Sequence, residues 1–332
     1  MNQSRFRKAM AATAIAASAT MVLAACSGGG AQKSDDSASG SGGGGGNSGY
    51  TFAMVTHETP GDTFWDKIKA GAQQAAKDTG STLKYSNDPD PAKQATLIQN
   101  AVDSKVDGIA TTLATPDALK GAVQSAVSAK IPTVAFNSGI DQYKDTGALM
   151  YFGSDENLAG SSAGERIVAD GAKHPLCVIQ AAGSVALEAR CAGVKSKASS
   201  TENIQVNGAD DSSVVSSLQA KLAADPSIDY IVTLGAPIAL DALKAMDQAS
   251  SKAKLVTFDL NAEAAQAIKD GKIQFSIDQQ PYVQGYLAVT SLYLNKKNGN
   301  DMGGGQPVLT GPSFVDSTNI DVILPFTKNN TR

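Results

Sequence analysis

The chain has 332 residues, of which 42% are hydrophobic and 5% aromatic, and carries a formal net charge of −4 at pH 7. That length suits two domains of ordinary size rather than one. An acidic balance without a basic run argues against nucleic acid or an anionic lipid surface as the target.

Arg5, Arg7 and Lys8 precede an apolar, Ala-rich run from Ala9 to Ala25. A basic flank followed by a short apolar core reads as an export signal, because the run is too short and too weakly apolar to span a bilayer stably. It ends in Leu23-Ala24-Ala25-Cys26, which matches the bacterial lipobox, so residues 1–25 are expected to be removed and Cys26 to be lipidated. Loss of those three cations takes the formal charge from −4 to −7. Residues 27–49 hold 10 Gly and 6 Ser and no large apolar side chain. Such a stretch behaves as a flexible tether. These ends predict a domain anchored by lipid on the extracytoplasmic face of a membrane, with 26–49 as its leash.

The body alternates short apolar runs with amphipathic segments. Strands are predicted at Tyr50–Val55, Leu83–Ser86, Gly108–Leu113 and Thr133–Phe136. Helices are predicted from Phe64 to about Thr79, from Pro91 to about Lys105 and over Pro116–Ala129. Ile68, Ala72, Ala75 and Ala76 share one helical face, as do Leu97, Ile98, Ala101 and Val102. Pro91 and Pro116 fall where a first helical turn tolerates proline. The pattern restarts after a break near Gly153, with strands at Leu176–Gln180, Ile204–Asn207, Tyr230–Leu234, Leu255–Phe258 and Ile273–Ile277. Helical segments lie between them near 186–199, 212–224, 237–248 and 262–270. Alternation with short loops implies parallel sheets wrapped by helices through right-handed crossovers. More than eight strands with that break suit two Rossmann-like α/β lobes better than one sheet, with a single closed barrel as the alternative.

Two cysteines remain beyond Cys26. Cys177 opens an apolar strand and Cys191 lies in the following predicted helix, so either a disulfide or two buried thiols fits. An oxidising compartment favours the disulfide. These cysteines and the scattered His57 and His174 offer no zinc-type ligand spacing, and no metal or other cofactor is expected.

Ligand-facing loops of parallel α/β sheets collect at the carboxyl ends of the strands. Here they are His57–Trp65, Thr112–Thr115, Asn137–Gly139, Gly183–Arg190, Gly235–Pro237, Asp259–Asn261 and Asp278–Gln280. They offer one Trp, one Phe, one Arg, several amides and carboxylates, and no catalytic set. A Cys–His pair would need a reactive thiol, but Cys177 sits inside an apolar run. Gly42–Gly46 belongs to the tether, not to a phosphate-binding loop. Glu58 and Asp62 suit hydrogen bonding to a ligand or helix capping better than glycosidase chemistry. A binding protein is expected, not an enzyme.

The order of elements and several motifs resemble the ribose-type periplasmic binding proteins, the pentose and hexose receptors of bacterial importers. The resemblance covers roughly residues 50–325. It is carried by Thr63-Phe64-Trp65, Ile131-Pro132-Thr133-Val134-Ala135-Phe136-Asn137, Leu187-Glu188-Ala189-Arg190, Thr257-Phe258-Asp259 and Ile277-Asp278-Gln279-Gln280-Pro281. Within the family, Thr56-His57-Glu58 with Pro60-Gly61-Asp62 is similar to a subgroup of sugar and sugar-alcohol receptors. The resemblance implies a type I clam-shell whose lobes, 50–154 with 280–307 and 155–279 with 308–332, are joined by three crossings near Gly153–Asp155, Asp278–Gln280 and Gln306–Leu309. It implies capture of a sugar or polyol by closure and delivery to an ABC permease driven by a separate ATPase. A sensor feeding a membrane kinase is the alternative use of the same fold. A monomer is the default for a clam-shell that presents both lobes to a permease.

Sugars offer flat C–H patches and a hydroxyl rim, which suit aromatic faces and planar polar groups respectively. The resemblance therefore makes Phe64 and Trp65 stacking candidates, Arg190 a hydroxyl donor, Asp259 an acceptor and Gln279 a hinge-side amide. His57, Asp62, Thr112, Asn137, Glu188 and Gly235 complete the candidate ligand set. Three positions depart from the family pattern: Asn137 stands where pentose receptors often carry Asp, Ser138 where many carry Arg, and Gly235-Ala236 where Asn-Asp is common.

Overall fold

The structure is a computed structural model, and it describes residues 47–332. The expected export signal, Cys26 and most of the tether lie outside the described residues.

The first half of the chain runs β1 (Thr51–Thr56), α1 (Phe64–Thr79), β2 (Thr82–Asn87), α2 (Pro91–Asp103), β3 (Gly108–Thr112), α3 (Pro116–Ser128), β4 (Thr133–Phe136), α4 (Tyr143–Thr146) and β5 (Tyr151–Ser154). The second half runs α5 (Glu156–Ala169), β6 (Pro175–Ile179), α6 (Val185–Lys197), β7 (Glu202–Gln205), α7 (Asp211–Ala224), β8 (Tyr230–Thr233), α8 (Ala236–Gln248), β9 (Lys254–Phe258), α9 (Ala262–Lys269) and β10 (Phe275–Asp278). The chain then makes α10 (Pro281–Asn298), β11 (Val308–Gly311), β12 (Ser313–Asp316) and α11 (Ile320–Thr327).

These strands form two six-stranded sheets, in the orders β11-β5-β4-β3-β1-β2 and β12-β10-β9-β8-β6-β7. The pairings are parallel except for β10 with β12. Each sheet is open and covered on both faces, so the closed barrel is ruled out and the two-lobed α/β clam-shell stands. In the first lobe α1 and α10 cover one face, burying Ile68, Ala72, Ala288 and Leu292, while Ile98, Leu119 and Val123 of α2 and α3 bury the other. In the second lobe Ala159, Ala163 and Val194 of α5 and α6 cover one face, and Leu218, Ala239 and Ile268 of α7, α8 and α9 cover the other.

One helix contact recurs in both lobes. A Cβ on Gly71 of α1 would come 2.0 Å from the carbonyl oxygen of Tyr282 in α10, and one on Gly160 of α5 would come 2.0 Å from that of Arg190 in α6. Only glycine allows the two backbones so close. These crossings fix the helices whose first turns reach the cleft.

The chain leaves the first sheet after β5, returns between β10 and α10, and crosses again between β11 and β12. The third crossing therefore falls at Gly311–Ser313 and not at Gln306–Leu309. Val308 and Leu309 pair with Phe152 and Gly153 of β5, so residues 308–311 belong to the first lobe. Short strands with a central glycine or flanking loops, such as β5 and β11, show too little periodicity to be read from sequence. Cys177 and Cys191 are joined by a disulfide that ties β6 to α6.

Candidate functional site

A cavity of about 590 Å³ lies between the lobes at the carboxyl ends of both sheets. Nine of the eleven proposed ligand residues line it: His57, Asp62, Phe64, Trp65, Asn137, Arg190, Gly235, Asp259 and Gln279.

The first-lobe wall is built from β1 and α1 outward. Phe64 and Trp65 open α1 and stand edge to face, with ring centroids 5.2 Å apart. The His57 ring meets Trp65 edge to face in turn, at 4.8 Å. Thr112 does not line the cavity and instead holds His57. Its Oγ1 accepts from the His57 backbone N–H at 3.2 Å and from Gln94 Nε2 at 3.1 Å. With both lone pairs taken, the hydroxyl donates to His57 Nδ1 at 2.7 Å, leaving the ring proton on Nε2. Burial lowers the His57 pKa to about 4, so the imidazole is neutral at ordinary pH. Asp62 accepts from the Phe64 backbone N–H at 3.0 Å and sets the turn into α1, while burial raises its pKa.

The second-lobe wall is charged. Arg190, 3% exposed, donates through Nε and a terminal nitrogen to Glu156 at 2.6 and 3.1 Å. It also donates to the Leu234 carbonyl at 3.1 Å, and its guanidinium lies 4.6 Å from the Phe258 ring centroid. This fixes the fork in one pose, with Asp259 Oδ2 3.8 Å from Nη1. Burial pushes the Asp259 carboxyl up to about 7, against the opposing pull of Arg190 and of a hydrogen bond from Gln279.

Asn137 and Asp259 hold equivalent places one residue beyond β4 and β9, both with left-handed φ, 65° and 63°. Asn and Asp tolerate that region better than other side chains with a Cβ. Each backbone N–H bonds the neighbouring strand, to Phe152 at 2.8 Å and to Ile277 at 2.9 Å. Gln279 joins the two across the hinge, its Nε2 donating to Asp259 Oδ1 at 3.0 Å and its Oε1 accepting from Asn137 Nδ2 at 3.2 Å. Opposite the hinge crossings, the Val185 backbone N–H at the start of α6 donates to the Ala114 carbonyl at 3.1 Å, a direct bond from one lobe to the other. A cleft bridged on that flank is in a closed arrangement.

Besides Thr112, two expectations fail. Glu188 does not line the cavity; it sits about 200° around α6 from Arg190, on the far face, where Gln205 Nε2 lies 3.5 Å away. Glu58, expected to add a polar group, is engaged outside the cavity by Lys69 at 3.1 Å and Tyr85 at 2.5 Å. His174 bonds Ser227 and Glu202 at 2.7 and 3.1 Å, in a cluster that Lys221 also enters. Sequence reasoning missed Glu156, Gln94 and Lys67. Glu156 had a usable signal, since a buried arginine needs a counter-charge and an unassigned acidic pair, Asp155-Glu156, follows the first crossing. Lys67 had none, because it reads as an ordinary solvent-facing helix residue. It is 1% exposed, lies in the field of Asp259 and Asp62, and donates to the Thr63 carbonyl at 3.1 Å.

Residues 52–300 match the periplasmic binding protein domain family. The chain belongs to that family. A solved carbohydrate transporter from Acidothermus cellulolyticus 11B, in complex with myo-inositol, is 54% identical, with a TM-score of 0.84 over 85% of this chain and 99% of that one. The xylose/arabinose-binding protein of Sulfolobus acidocaldarius is 25% identical over 76% of this chain, which spans 65% of that protein's length. The ribose import binding protein of Salmonella typhimurium is 29% identical over 70% of this chain and 79% of its own. Periplasmic binding proteins and these relatives bind substrates and are not enzymes. Among the described residues, no helix is long and apolar enough to cross a membrane.

Proposed function

We propose that this periplasmic binding protein is a lipid-anchored, extracytoplasmic receptor that captures a sugar or cyclic polyol between its lobes and hands it to an ABC import permease. The observation that carries the reading is the pairing of walls in one cavity: an aromatic wall of Phe64 and Trp65 faces the fixed guanidinium of Arg190 and the carboxylate of Asp259. The aromatic faces take the C–H patch of a ring, Arg190 donates to ring hydroxyls, and Asp259 accepts from two neighbouring ones. Asn137 and Gln279 both donate and accept, which suits a hydroxyl rim. The lipobox and tether in the sequence support the anchor, and the ribose import protein among its relatives supports delivery to an importer.

Because the relative at 54% identity is complexed with myo-inositol, that polyol heads the candidates. A thermal-shift screen with myo-inositol, pentoses, hexoses and linear polyols tests the reading, since a ligand of the folded state raises the melting temperature by mass action. A shift for one of them, lost in Asp259→Ala, is the expected result. A flat response across the panel refutes sugar binding. Uptake of labelled ligand by cells with and without the permease genes separates import from sensing.

A further inference from the structure

The cavity continues well beyond the place where Arg190, Asp259, Gln279 and the aromatic pair converge. A single polyol ring takes the room of roughly five waters, about 150 Å³. The cavity measures about 590 Å³. Its direction follows from the sheets. Asn137, Asp259 and Gln279 directly follow strands near the hinge, Leu234–Ile238 after the central β8 comes next, and the far lining comes from loops after β6 and β7, with β7 at the far edge of its sheet, and from Thr59–Gly61 after β1.

That outer end is furnished with unused polar groups. Gln180, directly after β6, has a buried Oε1 without a hydrogen-bond partner. Its side chain is seated between two glycines. A Cβ on Gly208 would come 2.8 Å from the Gln180 Cβ, and one on Gly235 would come 3.2 Å from its Nε2. Ser184 is buried on the same wall, and its hydroxyl does not cap α6 although it holds the cap position. Beyond Gln180 the wall is Gly208-Ala209, too small to close the space.

The charges there have one sign. Asp62, Asp210 and Asp211 line the outer cavity, and the one Arg or Lys among the described lining residues is Arg190, whose charge is matched by Glu156. An anionic substituent would meet these carboxylates with no unpaired cation in the lining, since Lys67, whose charge acts on Asp62, is buried outside it.

We propose that the cavity holds two subsites: an inner one for a polyol or sugar ring, and an outer one, at Gln180, Ser184 and the 208–211 loop, for a second uncharged hydroxylated ring. The ligand class is then a neutral glycoside as well as the free ring. This rests on the sugar reading above and extends it.

Calorimetric titration of the full chain with myo-inositol, with its neutral α-galactoside galactinol and with myo-inositol 1-phosphate tests the assignment. Both neutral compounds are expected to bind and the phosphate to fail. Gln180→Ala should weaken galactinol about tenfold. Ala209→Trp, which fills the outer space, should weaken it more, and myo-inositol should stay within about twofold in both variants. Unchanged melting temperatures check that the variants fold. Binding of myo-inositol without galactinol overturns the outer subsite, as does an equal loss of both ligands in both variants. If neither neutral compound binds, the outer subsite falls, and the thermal-shift panel of pentoses, hexoses and polyols decides whether the sugar reading falls with it.

Discussion

The first lobe presents the cavity with His57, Phe64, Trp65, Asn137 and Ser138, none of them charged once burial holds His57 neutral, and with Asp62 at the rim. The second presents Arg190 and Asp259, with Glu156 behind them. Yet the lobes share a plan: a doubly wound sheet, a glycine-mediated helix crossing, and a left-handed Asn or Asp just past a strand. The difference teaches that the common fold places side chains, while a few positions choose between apolar contact and charge. Lobe one orders its wall by packing and by the Gln94–Thr112–His57 chain. Lobe two must neutralise what it buries, and so depends on partners far along the chain.

The sharpest way to break this contrast is Arg190→Met. Leaving Glu156 buried without its partner is expected to destabilise the chain by about 3–5 kcal/mol. Adding Glu156→Leu should restore most of that stability but none of the ligand binding, as read by denaturant unfolding and calorimetry. An equally damaged double variant would mean that the pair does more than satisfy itself.

Next in size is the Cys177–Cys191 bridge, which spans a sequence separation of 14. Closing a loop of that length contributes about 3 kcal/mol. Cys177→Ser with Cys191→Ser should therefore lower stability by that order while ligand affinity is kept, because the bridge anchors α6 away from the cavity.

The buried Asp259 gives the second lobe a pH dependence opposite in sign to the one that His57, its pKa lowered to about 4, gives the first. Its folded pKa of about 7 lies above the ordinary aspartate value of about 3.9, so the folded chain binds a proton in that window that the unfolded chain has released. Stability from this group is thus present at low pH and is lost as pH rises through about 7. Ligand affinity moves the other way, because the ionised carboxylate is the better acceptor for hydroxyls. It should weaken as pH falls below about 7, with Arg190, Glu156, Asp278 and Lys67 setting the field around the group. Asp259→Asn should flatten both profiles.

The smallest expected effect lies where the lobes touch. Val185→Pro removes the donor to Ala114 at a first-turn position that suits proline, after a Ser184 whose φ of −70° and ψ of 110° already fit the residue before proline. Losing one hydrogen bond should open the cleft by about 0.5–1.5 kcal/mol, a several-fold loss of affinity with the apo melting temperature nearly unchanged.

Much of this was legible from the chain. α1 at Phe64–Thr79 and β4 at Thr133–Phe136 lie where periodicity placed them, and most other predicted elements agree within two residues. The missing elements are instructive. α10 carries small and aromatic residues on several faces, since it is packed by α1 on one side and the sheet on another, so no single apolar stripe announces it. In the site, residues one or two past a strand were readable, because strand ends point into the cleft. Glu188 was misplaced because proximity to Arg190 in sequence says nothing of which side of a helix turn it occupies.

The sequence by itself determined the alternation of strands and helices, the two-lobed fold, and most of the residue types that line the cavity, because these depend on local periodicity and on motifs a few residues long. Only the tertiary structure decided that Thr112 holds His57, that Glu156 neutralises Arg190 from 34 residues away, and that Gln279 ties Asn137 to Asp259. Those contacts join segments whose spacing in the chain is arbitrary. They exist because a buried polar group must find a partner wherever the fold brings one within reach.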